Sequence, residues 1–361
     1  MVSNCLPVIY YHSVADHPEP HPWAFLSTPR SVFISQMEYL KSKGYNTVTW
    51  TQLVAHLSGE KALPKKSVLI HFDDGFLDNW TVVYPIMERL GLKYSVVVSS
   101  DFIDPGDEVR HFVRDTNESN KPDWWGYLNA EELCAMEDSG LVDIQCHAKT
   151  HTWYESGPEL VGRHGNSDMF TPWLDWNAYP EDKYSWLARD WQSRILKGAP
   201  ILVHGKSLQI RRYFPSPEYL ELLCRGMSTQ EAKDYLGGDP KLGRSETDDE
   251  LEARVEDELS TSRAILERIL KKRVIGLVWP GGEACEIAIR KAKDLYSLVS
   301  KGTGLNRFGS RAFRFSRLAG SLSFRGKQIP FGQTLFLSLQ LFRGRSLAMD
   351  TFAKMVKLFW R

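Results

Sequence analysis

Through the first 150 residues, short apolar runs alternate with amphipathic stretches. LPVIYYH reads as a strand. SVFISQMEYLKSKG carries a helical spacing of apolar positions and stops at Gly44; NTVTW is a short strand, and TQLVAHLSG a second helix. SVLIHF is apolar throughout, as a strand covered on both faces must be. Asp78 stands where it would cap a helix over NWTVVYPIMERLG, and KYSVVVSS supplies the next strand. Asn129 and Glu132 form a capping-box pattern ahead of AEELCAMEDSG, which leads into the apolar LVDIQCH. This βαβα order predicts an α/β fold, a parallel sheet wrapped by helices.

From about 155 to 246 the rhythm fails. Trp173, Trp176, Trp186 and Trp191 fall there among Gly and Pro at irregular spacing, which predicts an insertion with its own small core. Regularity resumes at Thr247, whose TDDE makes a capping box with Glu250. The helix it opens runs to about Lys272, and its acidic start and basic end (Lys271, Lys272, Arg273) suit the macrodipole. A strand VIGLVW then ends in Pro-Gly-Gly. The division expected is a domain over 1–330, interrupted at 155–246, and a tail over 331–361.

That tail is distinct. Between 335 and 361, Arg343, Arg345, Lys354, Lys357 and Arg361 stand against Asp350 alone, mixed with Leu, Phe, Met and Trp. On a helix Lys354, Lys357 and Arg361 share one face, and Ala348, Phe352, Met355 and Phe359 another. The pattern fits a helix lying on an anionic membrane surface, and equally a terminal helix docked on the domain with its basic face solvated.

Composition adds limits. A chain of 361 residues with 42% hydrophobic residues fills a sizeable core. Its 45 basic and 45 acidic side chains cancel, so no overall field draws it to nucleic acid. Cys5, Cys134, Cys146, Cys224 and Cys285 are odd in number with no CxxC pair, against a disulfide framework or a thiolate zinc site. MVSNCLPVIYYH lacks the marks of a secretory signal, and no segment reaches the roughly 18 apolar residues of a membrane span, so a cytoplasmic place is expected.

The chemistry lies at strand ends. VLIHFDDG sets Asp73 and Asp74 side by side after a buried run, where ionised groups need compensation. An aspartate pair capping a turn is the plain alternative. DIQCHAKTH places His147 and His151 after another strand, four apart, a spacing that in a helical turn puts both on one face. Alone that spacing is weak, and no Glu follows His147, which excludes a zincin helix. Together the clusters occupy matching strand ends, where α/β barrels build their sites. Two histidines and one aspartate leave the open coordination that catalytic zinc prefers.

HFDDG followed by HAKTH at strand ends resembles the first two motifs of the polysaccharide deacetylases, carbohydrate esterase family 4, over roughly 7–155 and 250–315. The resemblance implies a deformed (β/α) barrel, a NodB homology domain, and hydrolysis of N-acyl groups on amino sugars with a divalent metal, zinc first, with cobalt or nickel as substitutes. It implies Asp74, His147 and His151 as metal ligands and Asp73 as general base. The family's third motif reads VWPGG here, so Gly281 takes the aromatic position and its N–H would stabilise the oxyanion; a Pro-Gly-Gly turn explains the same letters. The arginine that orients the base in many members corresponds to Val278, and the hydroxyl residue after the first histidine to Ala148. No histidine follows His204, so the general acid expected is His12 of YYHSV, as in the permuted branch with an N-terminal YH strand; His204 competes with it.

Arg211 and Arg212 of KSLQIRRYF are candidates for binding phosphate or carboxylate on a glycan or its lipid carrier, and Trp279 for lining the substrate site. Most insertion tryptophans are expected to pack the insertion itself. The function expected is removal of an acetyl or formyl group from an amino sugar in a polysaccharide, glycolipid or surface-glycan precursor. A non-catalytic glycan-binding homologue and an O-acetyl esterase are the alternatives.

Overall fold

Strand β1 (Val8–Tyr11) is followed by helix α1 (Arg30–Ser42), β2 (Asn46–Val48), α2 (Trp50–Leu57), β3 (Ser67–Phe72), α3 (Tyr84–Leu90), β4 (Tyr94–Val98), α4 (Ala130–Asp138) and β5 (Val142–Cys146). The chain then leaves in an antiparallel arm, β6 (Trp153–Arg163) on β7 (Pro200–Lys206). A second antiparallel pair, β8 (Tyr213–Pro215) and β9 (Gly243–Ser245), encloses α5 (Pro217–Cys224) and α6 (Thr229–Leu236). It returns through α7 (Asp248–Glu256), α8 (Ser262–Leu270), β10 (Gly276–Leu277), α9 (Glu286–Leu295), β11 (Leu298–Thr303), β12 (Arg314–Ala319) and α10 (Gln333–Arg343). The computed structural model describes residues 6–16, 26–113, 126–165, 172–175, 177, 180–185, 197–303, 306, 314–320, 323–324, 327–328 and 332–343. Trp176, Trp186, Trp191, Cys5 and the tail residues Arg345, Ala348, Asp350, Phe352, Lys354, Met355, Lys357, Phe359 and Arg361 lie outside them.

The eight-stranded parallel sheet runs β1-β12-β11-β10-β5-β4-β3-β2 and closes into a barrel because β1 also pairs with β3. Short β2 pairs with the first residues of β3, and β4 with its last two. Period-two alternation then sorts the side chains. Ile9 and Tyr11, Val68, Ile70 and Phe72, and Val142, Ile144 and Cys146 pack outward under the helices. Val8, Leu69, Val97, Val278 and Leu298 pack inward on Trp50 and Leu53 at the barrel floor. Continuing the inward rows gives Val8–Tyr10–His12, Leu69–His71–Asp73 and Asp143–Gln145–His147. Each ends in a titratable side chain, so the barrel is apolar at its floor and polar at its mouth.

Capping boxes form at Asn129 with Glu132 and at Thr247 with Glu250. Asp78 does not cap. Its backbone is already helical, so the carboxylate cannot reach back to the first free N–H groups. It accepts instead from Ser13 Oγ at 2.5 Å and Val14 N at 3.1 Å, tying the segment after β1 to the wide turn Asn79–Val83. The helix from Thr247 is interrupted by a π turn, Asp257–Thr261, and VIGLVW contributes only Gly276–Leu277 as strand. Leu202, Tyr219, Leu222, Leu223, Ala232 and Leu242 form a separate cluster within 200–242. Cys134, Cys146, Cys224 and Cys285 are free thiols. Among the described residues no helix is long and apolar enough to cross a membrane.

Gly276 lets the barrel close over Trp50: a Cβ there would stand 2.1 Å from Trp50 Cε3, and the indole is fully buried. Gly276→Ala is therefore expected to lower stability by roughly 1–3 kcal/mol. Urea unfolding of the variant beside wild type measures it; an unchanged midpoint would mean that the indole does not fill this position.

Candidate metal centre and active site

The paired aspartates diverge. Asp73 completes the inward row of β3, whereas Asp74 has φ 76°, which swings its carboxylate across the mouth toward the end of β5. There Asp74 Oδ1 stands 3.3 Å from His147 Nε2 and 3.2 Å from His151 Nε2. These three residues are the described cluster able to hold an ion, with ligand atoms within 4.8 Å of one another. Bonds of about 2.0–2.2 Å around a tetrahedral ion place ligand atoms roughly 3.3–3.5 Å apart, so the spacing suits a divalent metal. The donor chemistry agrees. Asp74 Oδ1 is buried without a hydrogen-bond donor, and His147 Nδ1–H donates to Val278 O at 2.8 Å, which leaves Nε2 as the coordinating atom.

The histidine turn is not helical. Residues 147–151 form an irregular loop in which Ala148 (φ 60°) and His151 (φ 42°) adopt left-handed backbone, and the two rings lie 5.0 Å apart at 51°. Non-glycine residues held there cost of order 1–3 kcal/mol each, so the surroundings must impose the shape. Glu258, buried in the π turn Asp257–Thr261, does so. Its carboxylate accepts Lys149 N at 3.1 Å, Thr150 N at 3.0 Å and the Thr150 hydroxyl, while Asp257 takes Lys149 Nζ at 2.6 Å. Ser99 Oγ donates to His147 O at 2.8 Å.

Asp73 is 2% exposed and its compensation comes from Arg317 on β12, whose guanidinium reaches Oδ2 at 2.5 Å while stacking on Tyr10 at 4.6 Å. His71 Nδ1 lies 3.3 Å from Oδ1 and His12 Nε2 3.8 Å from Oδ2. Burial works against the Asp73 carboxylate, but Arg317 and then His71 outweigh it and hold its pKa at about 2. Burial lowers His71 to about 3, so that ring is neutral, and lowers His12 against the pull of Asp74 and Asp73. Val278, where the motif pattern calls for an arginine, faces the apolar interior; Arg317 reaches Asp73 from a different strand. Nothing local in RAFRFSRLAG marks which arginine this is, because barrel closure and the shifted register between β11 and β12 decide it.

A cavity of about 220 Å³ joins Asp73, Asp74, His147, His151, His12, Arg317 and Gly281, walled by Tyr10, Phe76, Phe102, Tyr127, Trp153 and Trp173. Trp153 and Trp173 stack at 4.8 Å. Gly281 has φ 68°, and Lys206 from the arm lies over it, donating from Nζ to Gly281 O at 2.6 Å; a Cβ would stand 2.5 Å from Lys206 Cδ. Other candidates fall elsewhere. Trp279 is fully buried on the outward row, one residue out of phase with inward Val278, and does not reach the cavity. Arg211 is engaged internally, donating to Glu246 O at 2.6 Å and pairing with Asp248. His204 stacks on Trp153 and bonds Leu202 O rather than lining the cavity. Arg212 opens on a different cavity.

Residues 60–169 match the family model described as polysaccharide deacetylase. YxkH from Bacillus subtilis (strain 168), named for the same activity, is 33% identical over 91 residues, 25% of this chain and 30% of that protein. The poly-beta-1,6-N-acetyl-D-glucosamine N-deacetylase of Escherichia coli (strain K12) is 34% identical over 151 residues, 42% of this chain and 21% of the relative. The matches thus span less than a third of these relatives' lengths. Among solved structures, a de-N-acetylase from Aggregatibacter actinomycetemcomitans superposes with TM-score 0.54 at 19% identity, over 89% of this chain and 97% of that one. The BpsB deacetylase domain from Bordetella bronchiseptica gives 0.53 at 17%, over 88% and 97%. At these identities the likeness is one of fold.

Glu258→Ala should release the histidine turn and weaken divalent-metal binding roughly 10- to 100-fold. Chelator competition measures it, with a His147→Ala/His151→Ala double variant setting the level for a lost site. Wild-type affinity in Glu258→Ala would show that the turn keeps its shape without the carboxylate.

Proposed function

From the match of residues 60–169 to the polysaccharide deacetylase model and the likeness of fold, we propose that the chain is a metal-dependent hydrolase of that family that removes an acetyl or formyl group from an amino sugar of a polysaccharide, glycolipid or surface-glycan precursor. One observation carries the reading: a buried carboxylate held ionised by its own arginine stands beside, and apart from, the Asp74–His147–His151 cluster. A glycan-binding module would need the cluster at most. An aspartate paired with Arg317 and open to the same cavity has the character of a base.

A divalent ion, zinc first among the candidates, held by Asp74, His147 and His151 would acidify a water molecule and polarise the acyl oxygen. Asp73, kept anionic by Arg317, takes the proton of the attacking water. His12, on the same side of the cavity with Nε2 3.8 Å from Asp73 Oδ2, passes to the departing amine the proton that Asp73 takes from the water. Gly281, whose turn Lys206 fastens to the arm, offers its N–H to the developing oxyanion. Tryptophans 153 and 173 give the sugar an apolar face to lie on. The Escherichia coli relative's substrate makes β-1,6-linked N-acetylglucosamine the first compound to assay.

Asp73→Asn is expected to retain metal and lose roughly 10²–10⁴ in kcat, and Arg317→Met to retain metal and lose roughly 10–100-fold in kcat with little change in KM. Paired assays for released acetate and new primary amine measure both. Full turnover by Asp73→Asn would remove the base assignment, and acetate without amine would make the reaction an ester hydrolysis.

A place on an anionic membrane surface is supported by α10, which buries Leu337 and Leu341 and exposes Leu335 (64%), Leu339 (41%) and Phe342 (52%) along one stripe, in sequence continuous with the basic tail. Full-length protein should cosediment with phosphatidylglycerol vesicles and not with phosphatidylcholine vesicles, and a Leu335→Gln/Leu339→Gln/Phe342→Gln variant should stay in the supernatant. Equal sedimentation of variant and wild type would count against the contact.

A further inference from the structure

A second cavity of about 500 Å³ lies behind the histidine turn, walled by Lys149 and Thr150 of that turn, Lys183, Arg212 and Tyr154, with the carboxylates of Asp101, Glu181 and Asp257 also on its walls. It is larger than the metal-site cavity and separate in its walls. Trp153 lines one and Tyr154, the next residue of β6, lines the other, so the arm stands between them.

Its cations are unequally partnered. Lys149 Nζ is 2.6 Å from Asp257, and Lys183 Nζ donates to Thr150 O at 2.9 Å and lies 3.8 Å from Asp101. Next to Arg212 in sequence, Arg211 is tied to Asp248; Arg254 takes both oxygens of Glu246. Glu246 does accept from Arg212, but from its backbone N–H at 3.0 Å. The Arg212 guanidinium has no carboxylate partner among the described residues, and its buried Nε makes no hydrogen bond. It is nonetheless held in place, between the Tyr154 ring at 4.2 Å and the Phe214 ring at 4.8 Å.

A buried donor without an acceptor costs of order 1–3 kcal/mol, and a guanidinium fixed between two rings has already lost the freedom that binding would cost. An oxyanion would satisfy it, and a planar fork fits two oxygens of one group. Asp257 and Asp101 offset the two lysines and Glu181 also faces the cavity, so the attraction for an oxyanion rests on Arg212. We propose that this cavity is an anion subsite in which Arg212 receives a phosphate or carboxylate carried by the glycan. That the anion belongs to a glycan rests on the deacetylase reading; that an anion binds does not. Because the arm separates the cavities, the subsite would hold a neighbouring unit of an extended substrate, not the sugar undergoing hydrolysis.

The test is calorimetric titration of the full-length, metal-loaded protein with inorganic phosphate, glucose 1-phosphate and glucuronate. Saturable binding of at least one probe is expected, weakened roughly tenfold or more in Arg212→Gln and less in Arg212→Lys, which keeps the charge without the fork. The His147→Ala/His151→Ala variant should keep that binding, so an anion site without turnover would sink the hydrolase reading and leave this one standing. The preferred probe identifies the group as phosphate or carboxylate. Absence of saturable binding to wild type, or equal binding by a folded Arg212→Gln, overturns the proposal.

Discussion

Two adjacent carboxylates have to be buried at the end of one strand, and the site follows from how each is compensated. An ionised carboxylate withdrawn from water is tolerable only with charge or hydrogen-bond donors around it. Asp73 keeps the direction β3 imposes and meets Arg317 and His71. Asp74 leaves that direction through a left-handed backbone and meets two imidazoles. A shared environment would have forced one of them to hold a proton, as close like charges do. Separate partners allow both to stay ionised in one cavity.

Much of this was readable from where apolar runs stop and polar groups begin. Apolar runs that end in His12, Asp73 and His147 mark strand ends, and a parallel barrel turns those endings to one mouth. Residues whose direction depends on irregular backbone were not readable in the same way. The four-residue histidine spacing suggests a helical turn, whereas the loop is shaped by Glu258 from a helix more than a hundred residues later. Asp78 looked like a cap because its own backbone conformation is invisible in the letters. Trp279 stands beside the third motif in sequence yet faces outward, since Val278 before it packs inward and the next residue turns the other way. Arg317 required knowledge of which strand closes the barrel. Local patterns predict what a residue can do; closure and register decide whom it meets.

The arm over 153–206 is more than an appendage. Trp153 walls the cavity of Asp74, His147 and His151, Lys206 fastens the Gly281 turn, and Thr152 Oγ1 lies 2.7 Å from Trp173 O and 2.6 Å from Asn177 Oδ1, joining the arm to the adjoining loop. The place that a side chain at 281 would fill is taken by Lys206 from outside the motif. Arg317 similarly supplies from β12 what Val278 cannot. Twice, then, an atom arrangement is completed by a residue that no alignment of short motifs would bring into view.

Arg317 also has a temporal meaning. Asp73 lies in the first quarter of the chain and its partner 244 residues later, on the strand that closes the barrel against β1. During synthesis the aspartates, the histidine turn and the arm all leave the ribosome before that strand exists. A nascent chain therefore carries Asp74, His147 and His151 while Asp73 still lacks the guanidinium that compensates it. The cavity's pattern of charge is complete only when the last barrel strand is in place, so the step that finishes the fold is also the step that compensates Asp73.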